Sequence, residues 1–207
     1  MPAAVVALFV VGVVVQSRTN TPASMSSPAA AAPSALRGSK PPPGIVAPDF
    51  TLDDAQGGGV SMRALRGRVA VVTFLDSKCH EACPVIAGVV TSALRRLAPG
   101  ERKRVVALAV STSPADDTRA SVRAFLRRHH ALGELHYLIG SERRLRPVWN
   151  AFHILSSVDS GNSDVHSASV RVFDGRGVWV SSLSPGVDLT VANLANDVRV
   201  ALRPRRA

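Results

Sequence analysis

The chain has 207 residues, of which 46% are hydrophobic, so a sizeable core is possible and wholesale disorder is excluded. Its two cysteines exclude a disulfide-rich scaffold and a four-cysteine zinc site. The net charge is +10, but the basic residues are scattered along the chain, and aromatic residues make up only 4% of it. A nucleic-acid binder usually concentrates basic residues on one face and stacks bases on aromatic ones, so no nucleic-acid partner is expected.

The first 46 residues are unlike a folded domain. Residues 1–15 form an uncharged apolar run that would span roughly 22 Å as a helix, short of the ~30 Å hydrocarbon core of a membrane. We interpret this run as the hydrophobic part of a signal peptide or as a membrane anchor. Residues 16–46 are rich in Pro, Ala and Ser, which predicts a flexible tether. The folded domain is then expected to cover residues 47–207.

The remaining chain alternates between strand-like and helix-like segments. Continuous apolar runs of β-formers predict strands that are buried on both faces, and amphipathic stretches predict helices. In chain order we expect a strand at 47–52, a turn at 57–59, a strand at 68–76, a helix at 81–97, a strand at 104–111, a helix at 116–130, a strand at 135–139, a helix at 141–152, a hairpin of 169–174 with 178–182, and a helix at 188–202. This order predicts an α/β domain with a thioredoxin-like fold, in which helices flank a central mixed sheet.

Cys79 and Cys83 stand just after the predicted strand at 68–76, where the next helix begins. Binding sites favour this end of the strands in open α/β sheets, and a helix N-terminus lowers the pKa of a thiol. A structural disulfide would close too short a loop to remove much chain entropy. A redox pair stays open, although thiol exchange usually uses two intervening residues rather than three. Two thiolates also suit Cu(I) and leave room for a third ligand.

The histidines differ in their settings. His166 stands in a polar loop that can return to the helix start that carries the cysteines, so it is the candidate third ligand. His80 adjoins the first cysteine but would point about 100° around a helix from it, so we expect it in solvent and keep it as the second candidate. His136 and His153 have apolar neighbours in the sequence and are expected to pack in the interior.

Four motifs follow one another along the chain. They are APDFTL at 47–52, RALRGR at 63–68, VTFLDSKC at 72–79 with EACP at 81–84, and His166 eight residues before Asp174. Together they resemble the Sco/SenC family of copper-binding proteins, over residues 47–202. A lone CxxxCP would be a weak signal, whereas its combination with the preceding strand and the spaced histidine is fairly specific.

The resemblance implies a thioredoxin-like cytochrome c oxidase assembly factor that binds one copper ion through Cys79, Cys83 and His166. The copper would be Cu(I), with Cu(II) as the other oxidation state to consider. Members of the family are tethered outside the cytoplasmic membrane or in the mitochondrial intermembrane space. They help to load the binuclear copper centre of cytochrome c oxidase subunit II. We therefore expect an extracytoplasmic protein, held at the membrane or exported, whose partner is that subunit or another exported copper protein.

The chain departs from the family pattern near the predicted histidine ligand. Many members have Asp directly before the histidine, whereas this chain has Val165 there and Asp164 one position earlier. Members often have an aromatic residue five positions after the histidine, where this chain has Arg171. These changes leave the ligand types intact but put their surroundings, and hence the copper affinity, in question.

Two function classes follow. The leading hypothesis is a copper metallochaperone, which binds and transfers its cargo rather than catalysing a reaction. The alternative is an enzyme, a thiol–disulfide oxidoreductase that reduces an exported target through Cys79 and Cys83. Thioredoxin-type exchangers carry a cis-proline opposite their cysteines, and this chain has no proline between Val148 and Ser184, which counts against a general oxidoreductase. A redox or copper sensor is a third possibility linked to the first, because copper binding itself requires the reduced dithiol.

Overall fold

A computed structural model describes Met1 and residues 35–203. The predicted apolar segment, apart from Met1, and the first part of the predicted tether lie outside the described residues. Pro33–Ala207 forms one compact unit. Its elements are β1 (Thr51–Asp54), β2 (Gly59–Ser61), a short 3-10 turn (Arg63–Leu65), β3 (Val69–Leu75), α1 (Ala82–Arg95), α2 (Pro99–Arg102), β4 (Val105–Ser111), α3 (Arg119–Arg128), β5 (Leu135–Ile139), α4 (Glu142–Ala151), α5 (Ser157–Ser160), β6 (Val170–Phe173), β7 (Trp179–Leu183) and α6 (Val191–Leu202).

In the described part of the chain, seven strands form one mixed sheet in the order β2-β1-β5-β4-β3-β6-β7. The central strands β3, β4 and β5 are parallel, and the outer strands are added antiparallel on both sides. Every residue of β3 and β4 is buried, as their continuous apolar sequences predict. The carboxyl ends of the parallel strands meet at one edge of the sheet, and the cysteine loop leaves from that edge.

Alternate residues of β3 face two separate cores, because successive side chains of a strand point to opposite faces. Val69, Val71 and Leu75 pack with α1, α3 and α6 on one face. Residues 70, 72 and 74 pack with α4 on the other face, where Trp149 is fully buried. The predicted α/β fold, with helices on both faces of a mixed sheet, is therefore confirmed.

Several element boundaries differ from the predictions by a few residues, including the start of α6 at Val191 rather than at 188. The first strand lies at Thr51–Asp54 rather than 47–52, and it forms a hairpin with β2, a strand absent from the predicted elements. The helix predicted from residue 116 begins at Arg119, because Thr118 caps it by accepting a hydrogen bond from the N–H of Ser121. Asp117, which directly precedes this N-cap, is buried beneath the cysteine loop.

Residues 35–46, predicted as part of the tether, lie against the domain. Backbone bridges join Ser39 to Ser182 and Val46 to Val178. The buried carboxylate of Asp197 accepts hydrogen bonds from the backbone N–H groups of residues 37 and 38, at 2.8 and 3.0 Å. The folded domain therefore includes residues upstream of residue 47. Within residues 35–203, every helix is too short or too polar to cross a bilayer.

The packing predicted for His136 and His153 is wrong. His136 lies on β5, but its side chain points out of the core and is 46% exposed, with Nδ1 2.7 Å from the Asp54 carboxylate. His153 is exposed just after α4 and has a φ of +53°, so the chain turns there and its side chain is directed to solvent. Apolar neighbours in the sequence do not put either ring in the interior. The alternation of side chains along β5 directs His136 outward, and the turn after α4 directs His153 outward.

Candidate metal centre

The cysteine loop joins β3 to α1 and places both sulfurs at the start of the helix. Cys79 precedes α1, and Cys83 is its second residue. The backbone N–H of Cys83 donates to Sγ of Cys79 at 3.4 Å. The helix has no other side-chain cap, so the Cys79 sulfur takes the place of a capping oxygen. Both thiols are free, and both are enclosed, with exposures of 3% for Cys79 and 0% for Cys83.

His166 comes to the cysteines from the loop between α5 and β6. Its Nε2 lies 3.1 Å from Sγ of Cys83. Its Nδ1 is 3.1 Å from the carbonyl oxygen of Ser167, which can only accept, so Nδ1 carries the proton of the neutral ring. This bond leaves the lone pair of Nε2 directed at the sulfurs, as a metal-ligating imidazole requires. The ligand atoms of Cys79, Cys83 and His166 all lie within 4.8 Å of one another.

The histidine loop is tied directly to the cysteine loop. The carboxylate of Asp164 accepts a hydrogen bond of 2.8 Å from the backbone N–H of His80. This bond holds the pKa of Asp164 below its usual range. Val165, in the position where many family members have Asp, is half exposed. The displaced Asp164 thus fastens the two ligand-bearing loops together.

Arg171 lies away from the three candidate ligands. Its guanidinium stacks over the rings of Trp179 and Phe152, at 4.7 and 5.8 Å from their centroids. It also donates a hydrogen bond of 2.8 Å to the carbonyl of Phe152. Burial lowers the pKa of this side chain. Residues 171 and 173 face the α4 side of the sheet. Arg171, at the position where family members often have an aromatic residue, therefore packs against aromatic rings on that side and does not adjoin the ligands.

The two thiols have opposite electrostatic settings. Hydrogen bonding from Cys83 lowers the pKa of Cys79 from 9.0 to about 4, with a further contribution from His166 and against the effect of burial. The pKa of Cys83 is raised, first by its hydrogen bond to Cys79 and then by its own burial. Burial lowers the pKa of His166, but the nearby Cys79 sulfur and the hydrogen bond to Ser167 outweigh this effect, so its pKa is raised overall. The reduced pair therefore holds one thiolate and one thiol near neutral pH.

Two buried carboxylates support the cysteine loop, and no sequence motif marks either of them. Asp117 accepts hydrogen bonds from the backbone N–H of Ser77, from Ser111 Oγ and from the Tyr137 hydroxyl, at 2.8, 2.6 and 2.9 Å. Asp76 accepts from the backbone N–H of Lys78 at 2.8 Å, and its second oxygen is buried without a hydrogen-bond partner. The signal available in the sequence was their position, because residues just beyond the carboxyl ends of neighbouring parallel strands converge at one edge of the sheet.

The second candidate ligand, His80, does not join the cluster. It is exposed, and its imidazole lines a surface cavity beside the loop. Among the described residues, one group of His, Cys, Asp or Glu side chains lies close enough together to hold a metal ion. It consists of the three predicted ligands. Two soft sulfur donors and one imidazole nitrogen match a soft metal ion such as Cu(I), and the same free dithiol is able to undergo thiol–disulfide exchange.

The sheet, the helix start that carries two cysteines and the opposing histidine define a thioredoxin-like dithiol protein. The sequence model of the SCO1/SenC family matches residues 39–203. The chain belongs to the SCO1/SenC family. A search of curated protein sequences finds no significant match.

Solved Sco structures are similar to the whole domain. Bradyrhizobium japonicum ScoI with copper bound is 22% identical, with a TM-score of 0.64, covering 76% of this chain and 100% of that one. A SCO1/SenC family lipoprotein from Bacillus anthracis is 20% identical, with a TM-score of 0.66, covering 81% and 99%. BsSco, described with a disulfide switch and as a member of the Sco family of cytochrome c oxidase assembly proteins, is 22% identical, with a TM-score of 0.65, covering 79% and 96%. At these identities the similarity establishes the fold.

Proposed function

We propose that this protein is a copper metallochaperone that binds one Cu(I) ion through Cys79, Cys83 and His166. The observation that carries the proposal is the convergence of the three ligand atoms within 4.8 Å, with the free lone pair of the imidazole directed at the sulfurs. Family membership and the copper-bound ScoI structure support the same metal. Copper is the cargo here, so the site has to release it as well as bind it.

The proposed recipient is cytochrome c oxidase subunit II or another exported copper protein. The description of BsSco as an oxidase assembly protein supports this recipient. The lipoprotein relative and the apolar run at residues 1–15 support an extracytoplasmic location at the membrane. In the transfer step, a thiolate of the recipient binds the copper while one ligand of this chain leaves. His166 is the most exposed of the three ligands, so it is the one most accessible to a displacing thiolate.

The alternative function is thiol–disulfide exchange on the same or another exported target. The low pKa of Cys79 favours it, because a thiolate is the attacking species. In that reaction the Cys79 thiolate attacks the target disulfide and forms a mixed disulfide. Cys83 then attacks Cys79, so the target leaves as a dithiol and this pair becomes the disulfide.

A Cu(I) titration of reduced protein against a competing chelator tests the proposal. The unit Pro33–Ala207 contains both cores, so it serves as the sample. We expect one copper per chain, loss of tight binding in Cys83→Ala, and at least tenfold weaker binding in His166→Ala. His80→Ala is the matched control and should bind as the wild type does. If the protein binds no copper while its cysteines still convert between dithiol and disulfide, the oxidoreductase function would replace the chaperone function.

A further inference from the structure

A surface cavity of about 280 Å³ lies beside the cysteine loop, between residues 77–80 and one face of α3. Lys78 and His80 line it from the loop, and Arg128 lines it from the helix. Its floor includes Phe125, which is buried, and Ala124. The cavity thus combines an apolar floor with a basic rim, immediately next to the first cysteine of the pair.

The charge on this rim is uncompensated within the described residues. No acidic side chain lines the cavity. Across residues 35–203, neither Lys78 nor Arg128 forms an ion pair, whereas arginines elsewhere, such as Arg63, Arg144 and Arg146, are paired with carboxylates. The nearby Asp164 is already engaged by the N–H of His80. Unpaired basic groups around an apolar floor favour an acidic ligand that also has apolar atoms to bury.

We propose that this cavity receives an acidic segment of the protein with which this chain exchanges copper. The inference rests on the proposed function, since it assigns the docking site of that exchange. A Glu or Asp side chain of the partner would lie between Lys78 and Arg128, and a neighbouring apolar side chain would lie over Phe125. This contact would hold the partner's thiols next to Cys79 and raise the rate of encounter more than the final affinity.

The binding step is tested with the copper-free, reduced unit Pro33–Ala207 and two labelled peptides without cysteine, one rich in Glu and the other with Gln in place of each Glu. At low salt we expect the Glu peptide to bind at least fivefold more tightly, and the difference to vanish at about 0.5 M salt. Combining Lys78→Gln with Arg128→Gln should abolish the preference. Combining Arg123→Gln with Arg127→Gln removes the same two charges from exposed residues of α3 outside the cavity and should preserve it. Equal binding of both peptides, or an equal loss in this control variant, would overturn the proposal.

The exchange step is tested by following Cu(I) transfer to CxxxC peptides flanked by Glu or by Gln. The Glu-flanked peptide should be loaded at least threefold faster, and the double variant should slow only that peptide. Copper binding without any preference for Glu would overturn the docking site and leave the proposed function standing. A preference for Glu in a protein that binds no copper would overturn the proposed function instead.

Discussion

At the residue scale, the protonation of the two thiols decides what copper binding costs. Both cysteines have to be thiolates when they bind copper, and the imidazole has to be neutral. Cys79 has a pKa of about 4, so it has already lost its proton at neutral pH. Cys83 has a raised pKa and His166 has a raised pKa, so these two residues carry the protons that copper displaces.

The number of protons released on binding should therefore change with pH. We expect about two per Cu(I) at pH 6, from Cys83 and the imidazolium of His166, and the number should fall towards one, from Cys83 alone, as pH rises through the raised pKa of His166. Affinity should rise with pH throughout this range. Calorimetry in buffers of different ionisation enthalpy measures the release. Three protons released at pH 6 would mean that Cys79 is still a thiol there.

Asp117 gives a second pH dependence, one of stability. Burial raises its pKa from 3.8 to about 6, although three hydrogen-bond donors oppose the rise. Between these values the folded chain holds a proton that the unfolded chain has released. The free energy of unfolding should therefore fall, by about 3 kcal/mol, as pH rises from below 4 to above 6.

Urea unfolding of reduced wild type and Asp117→Asn at several pH values measures this effect, because the amide cannot titrate. The difference between the two profiles should change with pH in the stated direction. Tyr137→Phe, which removes one donor to the same carboxylate, is the control that keeps the titrating group. A constant difference from pH 4 to pH 7 would contradict the assignment.

The candidate ligands could be predicted from sequence, whereas their support could not. Cys79, Cys83 and His166 stand out because soft ligands are rare in this chain and occupy motif positions. Asp117 has no such motif position. An acidic residue just before a helix is usually explained by its favourable interaction with the positive end of the helix dipole. Its burial depends on Ser77, Ser111 and Tyr137, which meet only when three strands are in register.

At the element scale, the segment at residues 35–46 is part of the folded structure. Its composition predicts a tether because it has few large apolar side chains, but its backbone hydrogen bonds to Asp197 and β7 do not depend on composition. Gly38 passes so close to β7 that a Cβ there would lie 2.5 Å from the carbonyl oxygen of Ser182. Sequence shows the glycine but not the strand that it approaches.

Gly38→Ala should therefore detach this segment. We expect a loss of about 1–3 kcal/mol in the free energy of unfolding, because the backbone of Ser182 cannot move aside freely. Trypsin should then cut faster after Arg37, which is followed by Gly38. Gly100→Ala, where a Cβ meets open space, is the control. Unchanged stability and cleavage in Gly38→Ala would show that the segment does not depend on this approach.

The strands that were predicted best are the central ones. β3 and β4 are buried on both faces, so their sequences are continuous apolar runs that predict strands directly. The edge strands β1 and β2 are short and partly exposed, and their positions depend on the Gly57–Gly59 turn and on pairing with β5. Edge elements take their boundaries from neighbours, which a local pattern does not contain.

At the scale of the whole molecule, the metal site joins separate parts of the chain. Cys79 and Cys83 follow β3, whereas His166 precedes β6, and these strands are neighbours in the sheet. The two segments come together only in the folded chain. Copper can therefore bind this set of ligands in the folded chain and not in the unfolded one. Binding should therefore stabilise the fold as a whole.

Free copper at about 100 times its dissociation constant should add about 2.7 kcal/mol to the free energy of unfolding. For a domain of this size that is a rise in Tm of roughly 5–10 °C. Thermal unfolding of reduced wild type with and without Cu(I), beside Cys83→Ala, measures it. A rise of equal size in Cys83→Ala would show that copper acts elsewhere on the chain.

The central claim is that one copper ion is bound by two sulfurs and one imidazole nitrogen. X-ray absorption at the copper edge of the Cu(I)-loaded protein measures these ligands directly, beside His166→Ala and the control His80→Ala. The structure predicts two sulfur ligands and one nitrogen ligand in the wild type and in His80→Ala, and loss of the nitrogen in His166→Ala. A nitrogen ligand that persists in His166→Ala, or copper without sulfur ligands, would contradict the account.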